Sequence, residues 1–162
     1  GTTANQKQAA IPEFCSKIET GRKNRRTDGF MVISRVESLI LKQGMEDALL
    51  RANSYVEAGT DGIMIHSKEK KPDEVYEFVK KFRANNSSTP IVVVPSTYNE
   101  CYEEELSDAG INVIIYANQL IRAAYPAMDA VARSILSRGR SSDCNEQCLS
   151  IKKILELIPG TI

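Results

Sequence analysis

The sequence has no tryptophan, a single histidine and only 6% aromatic residues. It has no surplus of charge either: 21 basic residues stand against 21 acidic ones. Recognition of a phosphate backbone needs a broad basic field, so nucleic acid is not an expected partner. No apolar run approaches the roughly 18–20 residues that cross a bilayer as a helix. The longest runs, IVVV at 91–94 and INVIIYA at 111–117, are far shorter, and no membrane span is expected. The opening GTTANQKQAA lacks the apolar stretch of a secretory signal and starts with Gly rather than Met, which reads as a cut end.

Cysteine is scarce as well. Cys15, Cys101, Cys144 and Cys148 are too few and too scattered for a disulfide framework, and the expected setting is a reducing cytoplasm. Cys144 and Cys148 would share a face on a helix, but zinc needs two further ligands and His66 is the only histidine. They read as ordinary thiols. GxGxxG, GxxxxGK[ST] and GxSxG are all absent, which removes support for dinucleotide, P-loop and hydrolase-elbow readings.

What is present is an ordinary globular composition, 42% hydrophobic and 26% charged over 162 residues, enough for one domain with one core. FMVIS at 30–34, GIMIH at 62–66, IVVVP at 91–95 and NVIIYA at 112–117 are short Val/Ile-rich runs without strict alternation, as expected for strands buried in a parallel sheet. A helical stretch at 8–21 precedes them, others lie between them at 45–58, 72–86 and 99–110, and 118–136 follows with Pro126 inside it and a kink expected there. A last amphipathic helix is expected over 146–158. The order αβαβαβαβαα implies an α/β fold with a parallel sheet. Two architectures fit, an open doubly wound sheet and part of a TIM-type (βα)8 barrel, of which four units would be half.

Both architectures gather ligands at the carboxyl ends of the strands. Those ends carry Ser34, Arg35 and Glu37; His66, Ser67 and Lys68; Ser96 and Thr97; and Asn118. A guanidinium fork and an imidazole at one mouth suit an anionic, oxygen-rich ligand. Arg35 follows an apolar strand, where a charge is rarely buried without a partner; it serves a ligand or pairs with Glu37. Asn118 reads equally as a ligand contact or as the cap of the helix behind it, and Ser67, Ser96 and Thr97 lean towards capping. Glu37 is the only acid among these residues and makes a weak magnesium site alone. Lys23 and Asn24 precede a strand and fall at the opposite, amino-terminal face.

The stretches SRVESLILKQGMEDALLRANSYVEAGTDGIMIHSK, IVVVPSTYN and GINVIIYANQLIRAAYPAM resemble the phosphoenolpyruvate mutases of the isocitrate lyase superfamily over essentially residues 8 to 160. The resemblance implies the C-terminal half of a (βα)8 barrel over 1–138, a linker over 139–145 and a terminal helix within 146–162 that is exchanged between subunits. It implies a phosphoryl group moved between the C2 oxygen of magnesium-bound enolpyruvate and C3, interconverting phosphoenolpyruvate and phosphonopyruvate. Arg35 matches the arginine that holds phosphoryl and carboxylate oxygens, and His66 the histidine that contacts the phosphoryl group. Glu37, Ser67 and Asn118 fall in supporting positions, and Gln119 stands where the family usually has His. The magnesium ligands, with the EDK motif and the gating loop, belong to the first half of the family's chain, so no metal ligand is carried over to this one. A homo-oligomer, a dimer or tetramer, is expected together with the N-terminal half of the barrel. Phosphonopyruvate hydrolase and a 2-methylisocitrate lyase-like carbon–carbon lyase keep the same fold, and a non-catalytic half-barrel assembly module is the reading from another class.

Overall fold

Residues 73–83 show how this chain makes its elements. Asp73 and Glu74 sit in the first turn and Lys80, Lys81 and Arg83 in the last, each complementing the nearer end of the helix dipole. Val75, Phe78, Val79 and Phe82 recur at helical spacing on one face, and all four are buried. Phe78 and Phe82 stack with ring centroids 5.6 Å apart. The computed structural model describes residues 6–158 and 160. Its elements are α1 (Ile11–Lys23), β1 (Ile33–Val36), α2 (Met45–Glu57), β2 (Gly62–Ile65), α3 (Asp73–Arg83), β3 (Ile91–Val93), α4 (Glu103–Asp108), β4 (Val113–Ile114), α5 (Gln119–Arg138), a 3-10 helix (Ser142–Gln147) and α6 (Ile151–Glu156).

The four strands are parallel and lie in the order β1-β2-β3-β4. That order decides between the two architectures left open by the sequence. Right-handed crossovers that always step the same way place their helices on one face of the sheet, whereas a doubly wound sheet reverses direction and covers both. Burial agrees. Val36, Ile63, Ile65, Ile91 and Val93 share one buried cluster with Ala48, Ala52, Tyr55, Phe78, Phe82 and Leu106 of the helices. On the opposite face Val113 and Ile115 remain 44% and 37% exposed. The arrangement of the four strands with α2, α3 and α4 is that of consecutive units of a (βα)8 barrel.

One strand lies further along the chain than its apolar run. FMVIS predicts a strand over 30–34, but β1 is Ile33–Val36, and Phe30 and Met31 are exposed. The start of β1 is set from α2 and β2 rather than by its own hydrophobicity. Asp61 accepts the Val32 N–H at 2.8 Å, and the Thr60 hydroxyl bonds Val32 O at 2.8 Å and lies 2.8 Å from the Ser34 hydroxyl. These bonds align Ile33 with Gly62. A Cβ on Gly62 would stand 2.7 Å from Ile33 Cδ1 and 3.1 Å from the Pro90 carbonyl oxygen, so only glycine admits this close approach. Arg83 ties the other end of the sheet, donating to the carbonyls of Thr89 (2.7 Å) and Gly110 (2.9 Å) and to Asn112 Oδ1 (2.7 Å). Asn112 Oδ1 in turn accepts the Ile91 N–H at 2.9 Å.

The chain divides into two compact units, Gly1–Ala117 and Asn118–Ile162. In the second, α5 continues on both sides of Pro126 and ends at Gly139, whose φ of 67° reverses the chain. The single helix expected over 146–158 is instead two pieces, the 3-10 helix Ser142–Gln147 and α6. Cys148 is extended between them (φ −111°, ψ 144°), and Ser150 starts a new helix by accepting the Lys153 N–H. Within the segment expected as a linker, Arg140 pairs with Asp143 and the buried Cys144 thiol donates to Ser141 O at 2.9 Å. Among the described residues no helix is long and apolar enough to cross a membrane.

Arg83→Met should lower the unfolding free energy by about 3 kcal/mol, because it strands several carbonyl acceptors at once. Urea denaturation checks this: the midpoint should fall with the slope unchanged.

Candidate functional site

Paired residues of a parallel sheet share a face, and faces alternate along each strand. Ser34 pairs with Ile63 and Val36 with Ile65, all turned to the helices; Arg35 pairs with Met64 on the uncovered face. One pleat further on that face lie Glu37 and His66, just past the carboxyl ends of β1 and β2. The sheet thus brings together three of the residues predicted from the sequence: Arg35, Glu37 and His66.

Their polar atoms are incompletely satisfied. The Arg35 guanidinium pairs with Glu37 Oε1, with the arginine side chain 48% exposed and the glutamate 16%. The pairing alternative for Arg35 is therefore real, yet much of the guanidinium still faces outward. Glu37 Oε2 and His66 Nδ1 are buried and have no hydrogen-bond partner among the described residues. A buried carboxylate oxygen and a buried imidazole nitrogen left unpaired are costly, and they mark a mouth shaped to receive polar groups. Burial pushes the His66 pKa below its ordinary value, and the nearby cations Arg35 and Lys68 push the same way against the opposing pull of Glu37. The site thus presents a permanent cation beside an imidazole held neutral, a pair that donates hydrogen bonds to an anion without itself needing to titrate.

The other predicted residues are placed differently. Ser67 is fully buried; its hydroxyl bonds Glu74 and accepts the Glu69 N–H at 3.0 Å, while its carbonyl accepts the Thr97 hydroxyl at 2.9 Å. It braces the loops behind β2 and β3, and its hydroxyl is already engaged. Asn118 belongs to the second unit, at the start of α5, and makes no side-chain capping bond there. The Asn24 amide bonds Thr20 O at 2.8 Å at the end of α1, before β1, as its expected place away from the mouth requires.

Two features escape the sequence reading. Tyr98, two residues after Ser96, is fully buried with its hydroxyl unpartnered among the described residues, and burial drives its pKa upward. Asp47, near the start of α2, accepts a 2.7 Å hydrogen bond from Ser38, the residue after Glu37. An acid in a first helical turn ordinarily signals only the dipole, so nothing local flags it. Among the described residues no group of three or more His, Cys, Asp or Glu could hold a metal ion. Glu37, with one oxygen on a guanidinium, is a poor magnesium ligand, so the residues here do not fit that ion.

The model of the phosphoenolpyruvate phosphomutase family matches residues 1–136. The chain is 36% identical over 150 residues to the phosphoenolpyruvate phosphomutase of Streptomyces viridochromogenes, covering 93% of this chain and 47% of that protein. The crystal structure of phosphoenolpyruvate phosphomutase from Streptomyces platensis subsp. rosaceus superposes with a TM-score of 0.87 at 33% identity, covering 96% of this chain and 53% of that one. A phosphonopyruvate hydrolase crystallised with oxalate and Mg2+ superposes with a TM-score of 0.84 at 35% identity, covering 96% and 56%. The chain thus spans about half the length of the relatives it matches.

The electrostatics of His66 give a direct check. Its NMR titration midpoint should lie below the ordinary value of 6.5, and Arg35→Met should raise it by removing a neighbouring cation. The folded state then binds this proton less readily than the unfolded chain does. The contribution of His66 is therefore neutral above the ordinary histidine range, and stability falls as pH drops through that range toward the depressed midpoint.

Proposed function

The chain belongs to the phosphoenolpyruvate phosphomutase family, and on that premise we propose that the whole protein interconverts phosphonopyruvate and phosphoenolpyruvate. The reaction breaks the C3–P bond and forms a bond from phosphorus to the C2 oxygen, with no water consumed and no net change in protons. The observation that carries this reading is the Arg35–Glu37–His66 mouth, a guanidinium fork and a neutral imidazole on the uncovered face of the sheet.

Charge on a phosphoryl group in flight is spread over its outer oxygens, and catalysis is mainly positioning and electrostatic stabilisation. Arg35 supplies a planar, permanently charged fork to those oxygens. His66 offers a ring nitrogen, Nδ1, that has no hydrogen-bond partner among the described residues. Glu37 holds one edge of the guanidinium and limits its rotamers, which keeps the fork aimed. The magnesium implied by the resemblance finds no fitting ligand set among the described residues; in this reading it is held outside 1–162.

A second reading, phosphonopyruvate hydrolase, is favoured by one observation: the chain is as similar to a hydrolase structure, 35% identical, as to the mutase relative, 36%. There water, rather than the C2 oxygen, would attack phosphorus. The same three residues serve either fate of the phosphoryl group. The proposal extends to a cytoplasmic homo-oligomer that includes the N-terminal half of the barrel, against which the open edges of β1 and β4 and the uncovered face would pair.

Phosphorus NMR of the intact protein with phosphonopyruvate and magnesium should show phosphoenolpyruvate; inorganic phosphate with pyruvate would assign the hydrolase instead. Arg35→Ala should reduce kcat/KM by roughly 100-fold or more, and His66→Gln by less. Residues 1–162 alone should show no turnover and should sediment as a dimer or larger, whereas a single folded 18.0 kDa species would refute the assembly.

A further inference from the structure

We propose that Asp47 is a positioning residue for the site: through Ser38 it holds the turn that carries Glu37, and through Glu37 it aims Arg35. The proposal rests on the reading of the Arg35–Glu37–His66 mouth as the reaction site.

The turn after β1 is closed by Leu41 N–H donating to Glu37 O at 3.0 Å and Gln43 N–H to Ser38 O at 2.8 Å. Within it Lys42 has a φ of 56°, in the left-handed region that non-glycine residues avoid. Such a conformation costs of order 1 kcal/mol and persists only where the surroundings over-determine it. Asp47 belongs to those surroundings through Ser38, whose carbonyl accepts the Gln43 N–H. Its Oδ2 accepts from Ser38 Oγ (2.7 Å), Arg51 Nε (2.9 Å) and Gln8 Nε2 (3.1 Å). Arg51 is anchored in turn on Ala9 O at 2.8 Å and Tyr55 Oη at 3.2 Å. Burial alone would raise the Asp47 pKa, but the hydrogen bonds from Ser38, Arg51 and Gln8 outweigh it and hold the carboxyl below its ordinary value. A charged acceptor fixed by its own helix therefore grips the residue next to Glu37.

The arrangement matters for the site because Arg35 is half-exposed and anchored on Glu37. A long side chain with its partner displaced samples many rotamers, and a misplacement of about 1 Å in a positioning group can cost up to roughly 100-fold in rate. Ser38 itself is fully buried.

The test reads His66 directly. In the intact chain its imidazole signal is identified as the one lost in His66→Gln. Glu37 holds the His66 midpoint up against Arg35 and Lys68, so releasing Glu37 should move that midpoint down. Ser38→Ala should shift it in the same direction as Glu37→Gln, and Asp47→Asn likewise. The double variant Ser38→Ala/Glu37→Gln should show no further shift beyond Glu37→Gln alone, since both act through one carboxylate. In the same proteins kcat/KM should fall roughly tenfold for Ser38→Ala. Should Asp47→Asn fail to fold, Ser38→Ala, which removes a single oxygen, decides alone. An unchanged His66 midpoint in a folded Ser38→Ala protein, whatever its melting temperature, would overturn the proposal and leave Asp47 a purely structural clamp. Coupling without phosphonopyruvate turnover would sink the reaction assignment but keep the positioning role. Turnover without coupling would do the reverse.

Discussion

The structure depends on one constraint, the unidirectional winding of four parallel strands. Because each crossover steps to the next strand in the same direction, one face of the sheet is claimed by helices and the other is left largely open, with Val92 buried at its centre. Burial follows from this. Val36, Ile63, Ile65, Ile91 and Val93 disappear beneath α2, α3 and α4, while Arg35, Val113 and Ile115 stay accessible on the reverse. In a sheet covered on both faces, a guanidinium at position 35 would need a fully buried partner. Here it can point to an open mouth.

That mouth is built from charge balance rather than from a dense cluster of acids and bases. Arg35 is permanently charged, Glu37 neutralises one edge of it, and His66 is kept neutral by burial and by the same arginine. The three groups belong to adjacent strands, so their spacing is set by the hydrogen-bonded register of Arg35 with Met64. Second in importance is the grip on the turn behind β1, where Asp47 and Ser38 support a left-handed Lys42. Rigidity in the site is thus borrowed from α2, a regular helix, rather than from the loop itself.

The second unit has its own local logic. Gly139 stops α5, the 3-10 helix buries Cys144, and Ser150 begins α6. An amphipathic pattern over 146–158 is a true statement about side chains but not about backbone continuity. Cys148 adopts an extended conformation near its start. Periodicity of side chains cannot register the three-residue break at 148–150 between the two helical pieces.

Much of this protein was decided by its sequence alone. The alternation of Val/Ile-rich runs with amphipathic stretches dictated a parallel α/β sheet, since short buried strands and 3.6-residue periodicity are local properties. Positions of Arg35, Glu37 and His66 at strand ends were legible for the same reason, and the combination of RVE, HSK, VPSTY and YAN carried the family resemblance. Tertiary structure alone decided the rest. The choice between one-way and two-way winding rests on strand order, which depends on pairings between residues 21 to 29 apart. The start of β1 depends on Thr60 and Asp61 reaching back to Val32, not on the apolarity of Phe30 and Met31. Ser67, a strand-end hydroxyl by sequence, is drawn into the loop brace by Glu74 and Thr97. Asp47 joins the site's support only because the fold carries α2 back against the turn that follows Glu37. Such bonds link residues distant along the chain, and their energies exist only once the backbone has already brought the partners together.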